Sequence, residues 1–426
     1  MILLTVAYVF NFVDRYILGL LVEPIKADLG LSDTQMGLLI GPAFAVLYAA
    51  AGLPLGWLAD RTRRTLILGC GVALWSLATA ASSLARNFSQ LFLARVGVGV
   101  GEATLAPCAL SMISDSFPPE RRGRPIAFYT AAQSLGAGLA ALGGAAVLGW
   151  ANSVDQLQVP VLGEVKPWQF TFIVVGLPGL FVALLLLLSR EPARQERAAT
   201  QTGASIGETL DYLWRRRAAY LSFVAFPLVM TTVAYSQTFF AALYMRTWNW
   251  PIERFALWSG LALVIIGPIT VNVAGWLSDR LYKNGRPDGP VQVMLAGSLL
   301  LIVMGAVSPL MPTGELAFSV WLFNLVGMST VSAAAPIALL NIVPATMRGQ
   351  GAALFYMITS LGGLLIGPTA VGLLSDYVFG ESGIQYATAL VPALFGIPVL
   401  LFTGYARRRY LAECNAAAGE AQADRG

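Results

Sequence analysis

The sequence predicts an all-α integral membrane protein with twelve transmembrane helices, arranged in two pseudo-symmetric halves of six helices around a central cavity at their interface. Composition carries the first part of this prediction. The chain is 57% hydrophobic and 12% charged, whereas a typical soluble domain is about 25% charged. A repeat carries the second part, because the pattern Gly-Trp-Leu-x-Asp-Arg at 56–61 returns at 275–280.

Apolar runs long enough to cross a bilayer recur along the whole chain. A membrane-spanning helix needs about 20 mostly apolar residues, because the hydrocarbon core is about 30 Å thick. The predicted spans cover about 2–22, 36–58, 65–85, 89–114, 124–150, 168–189, 219–245, 254–277, 290–310, 316–341, 350–375 and 384–406. Most connections between them are short, so no separate soluble domain is expected.

The basic residues predict how these helices are oriented. Most of the 27 Lys and Arg residues lie in the loops after runs 2, 4, 6, 8 and 10 and in the C-terminal segment. Because loops rich in Lys and Arg stay in the cytoplasm, we expect both termini there and the protein in the plasma (inner) membrane. The net charge of +4 follows from this bias and gives no reason to expect a nucleic-acid partner.

Further matches extend the repeat in the same order. The sequence Thr-Val-Ala-Tyr at 5–8 returns at 232–235, and Pro107 aligns with Pro336. We therefore divide the chain into an N-terminal half, a cytoplasmic linker, a C-terminal half and a cytoplasmic tail, at 1–189, 190–218, 219–408 and 409–426. Two related halves in a very apolar chain are typical of secondary transporters.

The linker contains a predicted amphipathic helix. Apolar residues fall at helical spacing between Ile206 and Trp214, and three arginines follow at 215–217. Such a helix is expected to lie on the inner leaflet. A plain solvated linker is the alternative.

The motifs resemble those of a known family. The residues Gly-Trp-Leu-Ala-Asp-Arg-Thr-Arg-Arg at 56–64 resemble the loop 2–3 signature of the major facilitator superfamily, which usually has glycine where Thr62 and Arg63 stand. Within it, the chain resembles the Spinster-type transporters, and we expect a bacterial homologue. That resemblance is carried by Asn-Phe-Val-Asp-Arg at 11–15, Arg95 with Gly-Val-Gly-Glu-Ala at 99–103, and Asp-Ser-Phe-Pro at 115–118 leading to Arg121 and Arg122. It implies the superfamily fold and export of lysophospholipids or sphingoid phosphates, often with proton dependence.

Four ionisable residues lie deep in predicted spans: Asp14, Arg15, Arg95 and Glu102. Each costs about 2.5–3.5 kcal/mol at a helix centre, so we expect them to face a cavity or one another. The chain has no histidine, which makes Asp14 and Glu102 the predicted proton-coupling groups. Arg15 and Arg95 are expected to bind an anionic group through the planar guanidinium fork. The alternative is a pair of buried salt bridges that only hold helices together.

The second half lacks these charges. By the repeat, Arg95 corresponds to Asn324 and Glu102 to Val331. A cavity that is charged on one wall and mostly apolar on the other suits an amphiphile with an anionic head and an acyl tail. Besides Arg15 and Arg95, the expected substrate-binding residues are Asn11, Tyr48, Tyr129, Gln133, Tyr235, Asn324 and Tyr356. Further polar residues expected at the cavity are Thr231, Gln237, Ser329 and Thr359.

A last set of charges is expected to work as a cytoplasmic gate. A carboxylate at the cytoplasmic end of one helix can cap the N-terminus of a neighbouring helix and be released as the halves rock. The gate residues are Asp60, Arg61, Arg64, Asp115, Arg122, Asp279 and Arg280. Asp115 is expected to pair with Arg121 or Arg122. The alternative is that these are ordinary charges that set topology.

Together these features predict a secondary active transporter that works by alternating access, with proton-coupled export or translocation of an amphiphilic anionic lipid. Proton-coupled efflux of drugs or small organic anions is the alternative. An enzyme is not expected, because no nucleophile–base pair or metal-ligand set is visible. We expect no metal and no cofactor, a proton gradient as the energy source, membrane lipids and the amphiphilic substrate as partners, and a monomer.

Overall fold

The computed structural model describes residues 1–117, 123–154, 158–159, 163–193, 206–344 and 347–423, and this part of the chain is almost entirely helical. The helices of the first half are α1 (Ile2–Leu20), α2 (Val22–Leu29), α3 (Asp33–Ile40), α4 (Pro42–Arg61), α5 (Arg64–Ser82), α6 (Phe88–Glu102), α7 (Leu105–Ser116), α8 (Gly123–Asn152) and α9 (Pro167–Leu188). Those that follow are α10 (Ile206–Arg215), α11 (Arg217–Ser236), α12 (Phe240–Trp248), α13 (Ile252–Lys283), α14 (Gly289–Val307), α15 (Gly314–Ile342), α16 (Arg348–Leu374), α17 (Ile384–Leu401) and α18 (Thr403–Ala423). Strands β1 (Gln158–Val159) and β2 (Gly163–Glu164) form one small antiparallel pair between α8 and α9.

The helices account for every predicted membrane span. In the described ranges, eleven segments are long and apolar enough to cross a membrane. The remaining predicted run, at 124–150, is occupied by α8, which has 30 residues. The predicted fold class is therefore confirmed, and the protein is an all-α, multi-pass membrane protein.

Three predicted runs change from one helix to the next in their interior, and the twelfth passes from α17 to α18 near its end. The second run changes helix at Gly41, and Pro42 begins α4 because proline has no N–H to donate and suits the first position of a helix. The fourth run changes helix after Glu102, and the seventh passes through a 3₁₀ turn at Gln237–Phe239. Hydropathy predicts that a run crosses the membrane, but it carries no information on backbone direction within the run.

Packing divides the described chain into two compact units. The first comprises Met1–Arg197, Thr238–Val264 and Pro368–Ile384. Within it α5 packs on α6 and α9, and α1 packs on α8. Trp75 of α5 and Phe172 of α9 are among the largest side chains that are completely buried.

The second unit comprises Ala198–Gln237, Ile265–Gly367 and Gln385–Gly426. Within it α14 packs on α15, and α18 packs on α11. Tyr410 of α18 is buried beside Phe223, and its hydroxyl donates a hydrogen bond to the backbone oxygen of Ala338 at 2.9 Å. The predicted tail therefore begins as a packed helix. The predicted division at 190–218 rests on the sequence repeat, which these packing units do not test, so it stays a prediction.

The linker contains a helix at the position where the sequence predicts an amphipathic one. This helix, α10, exposes Leu210 and Trp214, while the hydroxyl of Thr209 is buried and donates to Gln350 at 2.6 Å. One face is thus held by the second unit and the other carries exposed apolar side chains. The location of that face on the inner leaflet stays a prediction.

Candidate functional site

The four deep charges lie on α1 and α6 of the first unit. Arg95 and Glu102 are two turns apart on one face of α6, and Asp14 and Arg15 are neighbours on α1. The Nε atom of Arg15 donates to Oε2 of Glu102 at 2.7 Å, so this pair joins the two helices directly. The side chain of Glu102 is fully buried, whereas that of Arg15 keeps 18% of its surface exposed.

Aromatic rings surround the guanidinium of Arg15. Its central carbon lies 4.6 Å from the ring centre of Phe44, 5.2 Å from that of Tyr48 and 5.4 Å from that of Phe12. A cation over an aromatic face is attracted by the negative face of the ring, more strongly where water is excluded. Arg15 is therefore fixed in place by these rings while part of its surface stays accessible.

Asp14 and Arg95 form a more deeply buried part of the site, in which several polar atoms lack hydrogen-bond partners within the part of the chain that the structure describes. Both are at most 3% exposed, and no ion pair joins them in the described part of the chain. The Nε and Nη2 atoms of Arg95, Oδ1 of Asp14, Oε1 of Glu102 and both amide atoms of Asn11 have no hydrogen-bond partner among the described residues. The Arg95 guanidinium instead lies 5.8 Å from the ring centre of Phe172.

These unsatisfied groups favour a functional role over a purely structural one. A buried polar group without a partner costs about 1–3 kcal/mol, and a charged one costs more. Of the two salt bridges that the structural alternative requires, only Arg15–Glu102 is present among the described residues. Polar groups retained at such cost inside a membrane span are typical of functional sites.

Three further residues proposed for this site lie in the same unit with different accessibility. Tyr129 is buried, and its ring stacks on that of Tyr8 at 4.4 Å. Tyr48 is half-buried beside Arg15, and Gln133 is exposed on α8. The sequence did not single out Phe44 and Phe172, although the spacing of Phe44 four residues before Tyr48 on one helix face was a usable signal.

In the second unit the corresponding polar residues satisfy one another. Gln237 donates from Nε2 to Oδ1 of Asn324 at 2.6 Å and accepts from the Trp321 indole nitrogen at 3.0 Å. Asn324 is fully buried and donates to the backbone oxygen of Leu301 at 2.7 Å. The position that aligns with Arg95 thus carries a neutral amide with its hydrogen bonds made, and Trp321 is a participant that sequence reasoning missed.

The other second-half residues proposed for the cavity differ in exposure and in hydrogen bonding. Tyr235 is half-buried and Tyr356 is 53% exposed. The hydroxyl of Thr231 donates to the backbone oxygen of Thr359 at 2.6 Å, so these two residues are engaged with each other.

Only part of the predicted gate set is brought together. Arg64 is buried at the start of α5, where it forms an ion pair with Asp115 and a second with Glu191 at 2.9 Å. Glu191 was not expected from the sequence. Arg121 and Arg122 lie outside the described residues, so the expected pairing of Asp115 with them stays a prediction.

The repeated hexapeptide has the same local geometry in both copies. The Arg61 guanidinium lies 3.8 Å from the ring centre of Trp57, and that of Arg280 lies 5.2 Å from the ring centre of Trp276. All four side chains are exposed, as is Asp279. The side chain of Asp60 lies outside the described part of the structure. These contacts are between residues four apart on one helix, so they do not themselves join two helices.

A chain of apolar spans that carries charged residues within two of them is typical of a polytopic membrane transporter. The chain belongs to the Major Facilitator Superfamily, whose family model matches residues 4–365. Within that superfamily it is similar to Spinster-type transporters, which are among its relatives and its structural neighbours. Members of the family are transporters and not enzymes.

Individual relatives support this assignment. The chain is 30% identical to an MFS-type efflux pump of Mycolicibacterium smegmatis, over 88% of this chain and 83% of that protein. It is 24% identical to protein spinster of Drosophila melanogaster, over 86% of this chain and 60% of that longer protein. The crystal structure of a bacterial homologue of the human lysosomal transporter Spinster, inward-facing and unoccupied, superimposes with a TM-score of 0.79 at 25% identity, over 97% of this chain and 96% of that one.

Proposed function

We propose that this protein is a secondary active transporter that exports an amphiphilic lipid with an anionic head group, such as a lysophospholipid or a sphingoid phosphate, in a proton-coupled cycle. One observation carries the proposal. A partly exposed arginine, Arg15, lies deep in the membrane between a buried carboxylate, Glu102, and three aromatic rings. This arrangement offers a cation to an anionic ligand where water is scarce.

The head group and Glu102 would compete for the same guanidinium. Arginine binds phosphate and carboxylate through the same planar fork, so a phosphate that reaches Arg15 can replace Glu102 as its partner. A buried carboxylate left without a counter-charge is costly, and binding a proton removes that cost. Occupancy of Arg15 and protonation of Glu102 are therefore linked, and such linkage is reciprocal.

Asp14 and Arg95 are a second carboxylate and a second guanidinium, more deeply buried than Arg15. Both are buried, and each keeps a polar atom free of hydrogen bonds among the described residues. We propose that Asp14 is the second proton-carrying carboxylate and that Arg95 reaches the ligand or Glu102 when the helices move. The ligand contacts proposed at accessible positions are Tyr48, Gln133, Tyr235 and Tyr356, whereas Asn11, Tyr129 and Asn324 are buried in this conformation.

The second half of the chain offers no deep charge to a ligand. No predicted span from the seventh to the twelfth has an ionisable residue away from its ends. A hydrocarbon tail has no polar atoms to satisfy and gains by leaving water for such a surface. This difference between the two halves favours an amphiphile over a compact polar solute.

The similar bacterial Spinster homologue has been captured in one side of an alternating-access cycle. That protein has been solved inward-facing both in an unoccupied and in an occupied conformation. We propose the same kind of cycle here, with the cytoplasmic gate at Asp60, Arg61, Arg64, Asp115, Arg122, Asp279 and Arg280. Arg64 and Asp115 form a buried ion pair that joins α5 to α7 within the first half.

Efflux of drugs or small organic anions is a second candidate. The relative from Mycolicibacterium smegmatis is described as an efflux pump, and a probable L-galactonate transporter of Escherichia coli is 31% identical over 67% of this chain. A guanidinium would bind a sugar acid as readily as a lipid phosphate. The two candidates differ in whether an acyl tail is needed.

Flux through the purified protein in proteoliposomes tests the proposal. Labelled lysophospholipid and a labelled small organic anion are offered with and without a pH gradient, to wild type and to Glu102→Gln. We expect lysolipid flux that responds to the gradient in wild type and loses that response in Glu102→Gln. Glu164→Gln, which changes an exposed carboxylate, is the control and should behave as wild type. Flux of the organic anion alone would replace the lipid proposal with the second candidate.

The orientation proposed for the protein can be tested separately. We propose an inner-membrane monomer with both termini in the cytoplasm and a proton gradient as its energy source. Fusion of a cytoplasm-active fluorescent reporter to either terminus should then give signal, while a periplasm-active phosphatase should not. A phosphatase signal from either terminus would reverse the assignment at that end. Mass measurement in detergent tests the monomer.

A further inference from the structure

A cluster of charges outside the transport site joins segments that are far apart in the sequence. Its members are Glu23 and Lys26 of α2, Asp33 at the start of α3, Arg246 of α12, and Glu381 just before α17. All five belong to the first unit and to its predicted outer side. We call this set the outer cluster.

Asp33 is the centre of the outer cluster. Arg246 donates to both carboxylate oxygens of Asp33, each at 2.7 Å, in the two-bond geometry that arginine forms with a carboxylate. Lys26 lies 2.9 Å from one oxygen, and the hydroxyl of Ser375 donates to the other at 2.6 Å. The Asp33 side chain has no exposed surface, so all of its charge is neutralised by these partners.

The remaining members extend the cluster on both sides. The Nε atom of Arg246 donates to Glu23 at 2.8 Å, and Lys26 donates to Glu381 at 2.6 Å. The two cations therefore each bind one carboxylate of their own in addition to the shared Asp33. Glu23, Lys26 and Asp33 come from the first sequence half, whereas Arg246 and Glu381 come from the second.

A helix cap reinforces the same junction. Asp376, in the π-helical segment Ser375–Phe379 that follows α16, accepts hydrogen bonds from the backbone N–H groups of Asp33 at 3.1 Å and Thr34 at 2.7 Å. Backbone N–H groups at the N-terminus of a helix have no acceptor within that helix, and the helix dipole favours a negative charge there. A residue from the second half thus caps a helix of the first.

Two glycines let the backbones of α3 and α16 come close enough for these contacts. A Cβ at Gly372 would lie 2.4 Å from the backbone oxygen of Asp33, and a Cβ at Gly37 would lie 2.6 Å from that of Pro368. Both distances are shorter than van der Waals contact allows. Any side chain at either position would push the two helices apart.

We propose that the outer cluster is a latch that closes the predicted outer side of the protein and opens once in each transport cycle. Ionic contacts suit a reversible closure, because the separated charged groups can be hydrated. As a purely structural device the cluster would have little advantage, since buried ion pairs are often no more stabilising than apolar packing. The latch rests on the alternating-access cycle proposed above.

Removing one partner should favour the open outer side. Asp33→Asn removes the shared charge, and Arg246→Gln leaves Asp33 buried with one cation. Since loss of one member of a buried charge pair is strongly unfavourable, we expect each change to raise the ratio of open to closed molecules by about tenfold or more. Arg246→Lys keeps the charge but cannot form the two-bond contact, so it should give an intermediate ratio.

Distances between two spin labels report this ratio directly. In a background with Cys70, Cys108 and Cys414 replaced by serine, the labels are placed at Arg86→Cys and Ser382→Cys, two exposed positions of the first unit on the predicted outer side. One position lies in each sequence half. We expect wild type to give mainly the short distance and the variants to gain a longer one.

Asp28→Asn is the matched control. Asp28 forms an outer-side ion pair with Lys166 and accepts from the Trp168 indole nitrogen at 2.8 Å, but all three residues come from the first half. Its loss should leave the distances as in wild type. Wild-type distances in Asp33→Asn and Arg246→Lys would overturn the latch. Shifted distances in a protein without lipid flux would keep the latch and reject the proposed substrate.

Discussion

At the residue scale, two arginines with the same predicted role have different surroundings. Arg15 is partly exposed, paired with Glu102 and surrounded by rings. Arg95 is buried, and two of its nitrogen atoms have no hydrogen-bond partner in the described chain. The difference matters because only an accessible cation can meet a ligand directly. Arg15 is therefore the stronger candidate for first contact with the head group.

Arg15→Lys should weaken lipid transport without removing the charge. Lysine cannot present two parallel donors and stacks less well on rings, so we expect an increase in KM of about 10-fold, equivalent to about 1.4 kcal/mol. Initial flux over a range of lysolipid concentrations measures this. Arg63→Lys, at an exposed arginine, is the control. An unchanged KM in Arg15→Lys would remove Arg15 from the binding site.

Cys414 reports on the docking of α18. Burial raises the pKa of its thiol to about 11, although a hydrogen bond with Tyr410 opposes the shift. Because the thiolate is the reactive form and a free thiol has a pKa of about 8.5, alkylation at pH 7.5 should be slower than for a free thiol by about 300-fold.

The rate of maleimide reaction against pH measures this in a protein with Cys70 and Cys108 replaced by serine. The control moves the thiol one residue along the helix, as Cys414→Ser with Asn415→Cys, because Asn415 is exposed. Equal rates for the two thiols would mean that α18 does not stay packed on the second unit in solution.

At the element scale, close helix contacts depend on individual glycines. A Cβ at Gly101 of α6 would lie 2.7 Å from the backbone oxygen of Gly71 and 2.8 Å from the backbone nitrogen of Trp75 in α5. These neighbours are backbone atoms, which cannot move aside as a flexible side chain could. The contact positions Glu102, the next residue of α6, against Arg15 of α1.

Gly101→Ala should therefore destabilise the protein by about 1–3 kcal/mol, the usual cost of overpacking. Thermal unfolding in detergent should show a lower midpoint temperature. Gly52→Ala is the matched control, since nothing lies within 4 Å of a Cβ at that helical glycine. There alanine should be neutral or stabilising by up to about 1 kcal/mol, because glycine is the poorer helix former. Equal midpoints for the two variants would contradict the close contact.

The C-terminal helix α18 is also held in place by ion pairs with other parts of the chain. Arg407 of α18 donates to Asp288, which precedes α14, and Arg216 donates to Glu413 at 2.9 Å. Burial alone would raise the pKa of the Asp288 carboxyl, but hydrogen bonds from Arg407 and Gln292 hold that pKa below its ordinary value. A lowered pKa means that this contribution to stability is present above the unfolded pKa and is lost as the pH falls below it.

At the scale of the whole molecule, transport should be coupled to protons through carboxylates alone. The chain has no histidine, so the dependence of flux on a pH gradient must come from groups such as Glu102 and Asp14. We expect an ionophore that collapses the gradient to reduce wild-type flux to the level of Glu102→Gln. If Asp14 carries a second proton, adding Asp14→Asn to Glu102→Gln should reduce the dependence of flux on the pH gradient below that of Glu102→Gln alone. Flux that is indifferent to the ionophore would exclude proton coupling.

Much of the fold could be predicted because membrane spans have a strong and local signal. Twenty apolar residues are identified from composition alone, and every predicted run is helical in the structure. The changes of helix at Gly41 and after Glu102 could not be predicted in this way, since they depend on backbone direction. The outer cluster could not be predicted either, because nothing local in the sequence indicates that Lys26 and Arg246 meet at Asp33.

The site could be predicted in part for a similar reason. Ionisable residues deep in a span are rare enough to stand out, so Asp14, Arg15, Arg95 and Glu102 were found. Their partners were not, because Phe44, Phe172 and Trp321 are ordinary apolar residues until the helices pack. Glu191 could not be predicted, because acidic residues are common in loops that follow a membrane span.

The sequence by itself determined the class of the protein: its hydropathy requires membrane-spanning helices, and its repeat identifies two related halves. It also determined which residues bear charge inside the membrane, because that cost is paid position by position. Tertiary structure alone decided which arginine pairs with Glu102, which stays unsatisfied, and which distant charges meet at Asp33. Those outcomes depend on how helices pack against one another within a unit, and no local property of the chain specifies that packing.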